Sequence, residues 1–581
     1  MLFRFCLLKG SSLEDLPAAI AKFHDKLGAK DHDFTAGGVA GAGIMLSPEL
    51  LAEIGRVRGW AVAIPSINKK GEPEFVSILL TGDSEIVPMM FRAYLLVSEG
   101  IRSVGEVDGI RIYQDKSEGK KGKPPSDLPM PPFNPKDFMS KGEFNIALAP
   151  GMVVFGSSTD GVKDVLSRIG KKGEVKTKTL AGSKGFQTAA KLRENGGGLF
   201  FYADMDRLGK LMETLASGSA DNASWDVVKT FINPKAFHAV AGSLMLRKGG
   251  IDVRIQANVD VKDAGPLVEL IPDRPANLEL LQYLPADSLA GQVIPIPDGE
   301  KRWQKLLKLV DAAAKMSGKP GDPLPSAEVE KFEVASGIKI GKDICGRINE
   351  VAIGMPSTVN PGKPGKDDRE KTPTLVGASF PIIVIEATNA DAAGALEDLI
   401  PKLIGFATQS DAPKVTTEET DGIKIKCIAD NNLPWHASVC FGHKGKILII
   451  GQESKTVAAC LNQGGTKKGL LAQAKVAAAI KDLDKPAVAS LWLIGETVRY
   501  YSAMSKGSGS TEDKFDQEMK KVVENLPPLL SSLTVKSDSI VLEVRQPGLK
   551  SVSAKMIDLL VEKALQEYSE AKKPLPVPPI P

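Results

Sequence analysis

Cysteine is scarce in this chain. Five in 581 residues (Cys6, Cys345, Cys427, Cys440 and Cys460) are too few, and odd in number, for a disulfide framework, so a reducing compartment is compatible with the count. Aromatic residues make up only 6%, which excludes the stacking platforms used to grip bases or sugars. No sign of charge dominates: 74 Lys and Arg stand against 71 Asp and Glu, a formal net charge of +3, which speaks against a nucleic-acid binder or a polybasic membrane binder. Long apolar runs are missing too. Stretches such as Ile447-Leu448-Ile449-Ile450 are strand-length, far short of the roughly 20 residues a membrane helix needs. Met1 to Leu8 lacks the apolar core and cleavage site of a signal peptide. Export to the periplasm or beyond is therefore expected only from a start further upstream; otherwise the expectation is a cytoplasmic product.

What is present is a balanced composition, 43% hydrophobic and 25% charged, suited to a large globular core. It is organised by an internal duplication. Trp60 to Ser66 recurs as Val351 to Ser357, Asp108 to Ile112 as Asp421 to Ile425, Val154-Phe155-Gly156 as Ile449-Ile450-Gly451, and Ser243-Leu244 with Ile251 to Ile255 as Ser532-Leu533 with Ile540 to Val544. The spacing between copies changes only at polar, Gly/Pro-rich insertions, Asn360 to Lys371 in the second copy and Asp115 to Pro135 in the first.

Each copy reads in the same order. An amphipathic helix (Leu13 to Leu27; Lys301 to Met316) is followed by two strands (Ala61 to Ile64 and Phe75 to Leu80; Val351 to Met355 and Pro381 to Ile385). A second helix (Ile86 to Ser98; Ala392 to Phe406) leads into three close strands, the last two joined by turns at Pro150-Gly151 and Lys444-Gly445. Further helices, one more strand and a closing hairpin complete the unit. Paired strands with short turns predict an α+β fold in which two similar lobes each hold a mainly antiparallel sheet with helices on one face. The predicted boundaries are 1–265, 278–573 and a Pro-rich tail at 574–581, with a Pro-containing linker at Asp260 to Asn277 and a closing helix at Ser551 to Ala571. The segment Tyr283 to Ala290 opens the second copy. Its counterpart would precede Met1, so the first copy is expected to lack its opening strand.

The Leu284-Pro285-Ala286-Asp287-Ser288 opening, Asn349 to Ile353 and the duplicated strand-helix pattern resemble bacterial proteins of the domain-of-unknown-function family 3352, above all its large, export-associated members. The resemblance implies a duplicated envelope or extracytoplasmic α+β protein and carries no catalytic residues.

Site chemistry is thin. Gly37 to Gly43 offers Gly41-x-Gly43 but Leu46 where a dinucleotide loop needs its third glycine, and no Gly-x-x-x-x-Gly-Lys-Ser/Thr occurs. Ala181-Gly182-Ser183-Lys184-Gly185 is a loose relative of a nucleophile elbow without its preceding strand, and reads as a surface turn. Cys427, His436, Cys440 and His443, with Cys460 further on, are the candidate metal ligands. Their Cys-x8-His-x3-Cys-x2-His spacing lacks the paired short intervals of a structural zinc site; Cys427 continues the Ile423/Ile425 face of its strand and reads better as a small interior hydrophobe, and His436 and His443 as polar residues at strand ends. Asp83, Glu85, Asp204 and Asp206 follow strands, where helix capping explains them better than acid-base work. Lys116 to Lys123 reads as a solvated loop, and Asn222-Ala223-Ser224 is a glycosylation sequon only in a eukaryotic exported chain.

No cofactor is expected. The reading these residues favour is a non-catalytic scaffold or binding protein whose two lobes engage an unknown protein or envelope partner through their interface or paired sheet faces; a further reading is a structural envelope protein that associates through the Pro-rich tail. The alternative is an enzyme with a dispersed active site between the two lobes, in which one copy bears a polar cluster the other lacks.

Overall fold

The computed structural model describes residues 2–6, 56–67, 73–82, 84–97, 100–115, 144–169, 180–192, 198–210, 229–247, 250–317, 323–357, 381–408, 413–429, 438–466, 468–481, 485–498 and 514–547, with a few isolated positions. The predicted helix at Leu13 to Leu27, the Pro-rich tail, Gly37 to Gly43, Lys116 to Lys123 and the sequon lie outside these residues, and of the predicted helix at Ser551 to Ala571 only Lys555, Leu559 and Lys563 are described, each helical.

The first copy contributes β1 (Leu2–Cys6), β2 (Gly59–Ile67), β3 (Pro73–Leu80), β4 (Ile101–Val107), β5 (Ile110–Asp115), β6 (Phe144–Ala149), β7 (Met152–Gly156), β8 (Gly198–Asp204), β9 (Phe237–Arg247) and β10 (Gly250–Val259). The second contributes β11 (Ala290–Pro295), β12 (Ile348–Met355), β13 (Ile382–Ala387), β14 (Val415–Thr420), β15 (Ile423–Ala429), β16 (Ser438–Lys444), β17 (Ile447–Gly451), β18 (Val488–Trp492), β19 (Leu529–Val535) and β20 (Ser539–Gln546). Pairing runs β4-β5-β6-β7-β3-β2-β1-β8-β9-β10 in the first copy. In the second it runs β14-β15-β16-β17-β13-β12-β11-β18-β19-β20. The two orders are the same strand for strand. Both copies turn from the fourth strand of the set to the fifth through an Asp-Gly pair with positive φ, Asp108-Gly109 and Asp421-Gly422, as a tight hairpin demands. The α+β, antiparallel, duplicated reading therefore holds.

Three expectations are corrected. β1 sits between β2 and β8 as β11 sits between β12 and β18, so the first copy has its opening strand. Counting back 291 from Pro285 misplaced it on two counts: the strand of the second copy begins only at Ala290, and the register matches Leu2 to Gly291, a displacement of 289.

The helices cover both faces of each sheet, not one. In the first copy α1 (Ile86–Val97) brings Phe91 onto Phe144, Ile146, Val153 and Phe155, while α2 (Thr159–Ile169) brings Val162 and Leu166 onto Val76, Ile112, Ala147 and Val154. The second copy has α3 (Gly299–Ser317) before its sheet and repeats the two-sided pattern. There α4 (Ala390–Thr408) lies over Ile385, Ile428, Phe441 and Leu448, and α5 (Ser454–Gln463) over Val384, Ile425, Ile447 and Ile449. Neighbouring residues of one strand point to opposite faces, so a strand covered twice must be apolar throughout, as Ile447 to Ile450 is.

The Pro-containing stretch after Asp260 is not an open linker. It folds into short helices at Val261–Asp263, Pro266–Glu269 and Leu278–Tyr283, and Leu280, Leu281 and Leu284 are buried in the core of the second copy. By compactness the chain divides into one unit holding Met1–Leu215 and His238–Gln256 and another holding Ala216–Phe237 and Ala257–Leu549. The second unit thus takes Ala257 to Asn277, which the repeat alone leaves unassigned or gives to the first copy.

Candidate functional site

β15 and β16 set three of the four candidate ligands, Cys427, Cys440 and His443, in relation to one another. Their antiparallel register puts Cys427 directly opposite Cys440, with Cα atoms 4.1 Å apart, and the two are joined in a disulfide. The metal reading of this pair is corrected: a disulfide sulfur has no thiolate to offer. A count of five cysteines argued against a framework, and a single bridge is not a framework. His443 lies three residues beyond Cys440 and so projects from the opposite face of β16. His436 lies outside the described residues. Among the described residues, no three of His, Cys, Asp or Glu gather in a way able to hold a metal ion.

Cys345 and Cys460 are free thiols. Burial pushes both up, Cys460 to about 12, so neither carries much thiolate near neutrality.

On the α4 face, His443 joins a polar cluster that the sequence did not reveal. Glu397 of α4, buried, takes Nδ1 of His443 on one carboxylate oxygen and Nζ of Lys426 at 3.0 Å on the other. Lys426 also reaches Asp398 at 3.0 Å. Burial pulls the Lys426 ammonium down, but its bonds to Glu397 and Asp398 outweigh this and hold it above its ordinary range. Glu397 thus orients the imidazole and leaves Nε2 beside Gly394 of the same helix.

On the α5 face lies a second cluster. Glu350 and Glu386 stand opposite each other on β12 and β13, 2% and 5% exposed. Glu350 Oε1 accepts the backbone N–H of Asn277 at 2.6 Å, and Glu386 is met by Lys446 and by Asn349 Nδ2 at 3.4 Å. Arg274 donates to the Asn349 carbonyl. Burial raises the Glu350 carboxyl; the Asn277 N–H and Arg274 oppose the rise and neighbouring Glu386 adds to it. Burial likewise raises the Tyr283 hydroxyl, with Glu386 contributing, while the bond to Glu386 raises Lys446. The cluster pins the folded linker onto the sheet.

A raised folded pKa means that protonation of Glu350 favours the folded state: its stabilisation is complete below the ordinary carboxylate value of 4.5 and fades as pH climbs through the raised one. Glu350→Gln keeps an oxygen for Asn277 and removes the charge. It is expected to melt above the wild type near pH 7 and to lose that advantage towards pH 4. Melting temperatures of both proteins across this range check the sign.

Neither cluster has a counterpart in the first copy. Matching the two registers puts Gly59 and Leu80 where Glu350 and Glu386 stand, and Tyr113 and Leu148 where Lys426 and His443 stand. Counted from the capping residues Ser84 and Asn389, Arg92 takes the place of Glu397. The disulfide maps onto Gln114 and Asn145, which also face each other and are both buried. Asn145 Nδ2 donates to the Gly156 carbonyl at 3.4 Å and Asn145 Oδ1 accepts from Thr159 at 2.8 Å, while Arg102 donates to Gln114 at 3.5 Å.

The remaining candidates have structural posts. Ser183 is the N-cap of the helix Lys184–Ala190 and accepts from Phe186 N at 3.1 Å, following a short helix rather than a strand. Asp204 accepts from the Arg207 N–H at 3.1 Å in a capping arrangement. Asp206 lies 4.0 Å from His238. Glu85 stands just ahead of α1, whose first turn is capped by Ser84 Oγ from Val87 N at 3.3 Å. Asp83 lies outside the described residues.

No protein-family model and no curated protein matches the chain. Among solved structures, crystal forms III, IV and I of TP0453 are similar at 10% identity and TM-scores of 0.22, 0.21 and 0.19, over 48%, 44% and 48% of this chain and 84%, 75% and 96% of theirs.

Proposed function

We propose that this chain is a non-catalytic scaffold or binding protein built from two equivalent frames, working in the envelope of a bacterium. The observation that carries the reading is where the polar chemistry goes. Glu350, Glu386, Glu397 and Lys426 are each tied to partners that hold sheet, helix and folded join together; their absence from the first copy is instead a feature that favours the enzyme alternative. Part of the exposed surface is apolar. Met355, Ala290, Trp492 and Leu529 face one another in a row across β12, β11, β18 and β19, with Met355 43% and Trp492 53% exposed. Trp492 Nε1 donates to Thr497 at 3.0 Å, which fixes the ring at the surface, as suits an anchor for a protein partner. The disulfide supports an oxidising compartment, in keeping with the resemblance to export-associated members of domain-of-unknown-function family 3352.

A photo-reactive residue in place of Trp492, activated in intact cells, is expected to give one discrete cross-linked species that the same residue in place of exposed Val334 does not give. Equal, diffuse labelling from both positions would count against the reading.

The second reading is an enzyme, favoured by the Glu397–His443 pair, since a carboxylate-held imidazole is the arrangement of a general base. Turnover on a hydrolase and transferase panel that vanishes in Glu397→Gln would establish it in place of the scaffold.

A further inference from the structure

The two copies fill the same facing positions of neighbouring strands with different chemistry. In the first, β5 and β6 set the buried amides of Gln114 and Asn145 opposite each other, Gln114 accepting from Arg102 of β4 and Asn145 bonding to the Gly156 carbonyl of β7 and to Thr159. In the second, the same positions of β15 and β16 hold the Cys427–Cys440 bond, buried on the sheet face that α5 covers. An amide pair forms in any compartment; a disulfide forms only where an oxidant takes two electrons.

We propose that the β14–β16 sheet of the second copy is an oxidative maturation site, a cysteine pair that a disulfide-class oxidant must close before this copy reaches its full stability, whereas the first copy matures without oxidation. In the step itself, two thiols and one oxidant disulfide RSSR exchange through a mixed disulfide. One S–S bond forms between Cys427 and Cys440, the oxidant's S–S bond breaks, and its sulfurs leave with the two protons as two RSH. Closing strands separated by 13 residues removes loop freedom from the unfolded state. The bridge is buried once α5 is seated, so the exchange belongs to folding or to local opening. Cys460 on α5 shares this core, and once α5 is seated its thiol, raised to about 12 by burial, supplies almost no thiolate to attack the finished bridge. This inference does not depend on the proposed binding role.

The test uses the full chain, produced once in an oxidising and once in a reducing compartment. Peptide mass mapping of the oxidised product under denaturing alkylation is expected to return Cys427 linked to Cys440, with Cys345 and Cys460 alkylated. Hydrogen exchange of the two products is expected to differ by roughly 100-fold at protected amides of 415–444 and to agree within error at 101–149. Treating the reduced product with oxidised glutathione, the disulfide-class probe, should restore the slow rates. A double variant Cys427→Gln with Cys440→Asn transplants the first copy's pair and is expected to exchange at the same rate from either compartment. Complete alkylation of Cys427 and Cys440 without reductant in the oxidised product would overturn the proposal. So would equal exchange at 415–444 in the two wild-type products, a measurement that stands even if the double variant fails to fold.

Discussion

Arg302→Ala is expected to cost the second unit about 3 kcal/mol and to lower its melting temperature by about 6 °C. Arg302 stands on α3, where one guanidinium collects the ends of the chain's folded join. Its Nε donates to the Pro297 carbonyl at 2.7 Å, and its NH1 group to the carbonyls of Glu269 at 3.2 Å and Leu270 at 2.7 Å. Its NH2 group lies 3.3 Å from Asp273. Glu269 and Leu270 end the short helix Pro266–Glu269, whose last carbonyls have no later turn to bond. Truncation leaves those carbonyls to water or to nothing, which makes the loss larger than that of a surface ion pair. Lys at this position reaches one acceptor at a time and should recover less than half. Thermal melts of the three proteins decide it, and a change under 1 °C for Ala would mean the join is held elsewhere.

Phe441→Ala should be more damaging still, about 4 kcal/mol, because the ring is fully enclosed between β16 and α4 among Ile385, Leu396, Ile428 and Leu448. The register of the first copy puts Ile146 at the same post, enclosed by Phe91, Val153 and Phe155. Ile146→Ala is expected to cost about 3 kcal/mol, so that denaturant titration finds one structural post load-carrying in both copies despite different side chains. A Phe441→Ala loss below 1 kcal/mol would show that the α4 layer is not part of the cooperative core.

How far the sequence reached depended on which signals are local. The Asp-Gly turns, the apolar runs at Met152 to Gly156 and Ile447 to Ile450, and the recurrence of Trp60 to Ser66 as Val351 to Ser357 all carry their own pattern, and they led to the duplicated antiparallel fold. The edge strands β4 and β14 did not show, because Val415-Thr416-Thr417-Glu418-Glu419-Thr420 has almost no side chain to bury and hence no alternation to read. Helices on both faces were foreshadowed by continuous apolar runs, whose meaning emerges only once each strand has neighbours on both sides. The carboxylate clusters were out of reach for a different reason. Glu350 and Glu386 are brought opposite by pairing across a long polar insertion, and Glu397 meets His443 across a helix-sheet packing that no short motif encodes. The disulfide was out of reach because Cys427 and Cys440 face each other only through the β15–β16 register, which a one-residue slip would undo and no local pattern specifies.

The shared strand order has a consequence for how each sheet is made. β1 sits mid-sheet, and Leu2 lies opposite both Ala63 and Tyr202, so one flank of this strand waits for residues some two hundred positions later in the chain. The second copy repeats the delay, with Gly291 waiting for Leu491. Twice during synthesis, then, a half-built sheet must carry a bare central edge for tens of seconds at ordinary elongation rates of roughly 5–20 residues per second. That interval, rather than the finished surface, is where this molecule is most open to pairing with the wrong strand.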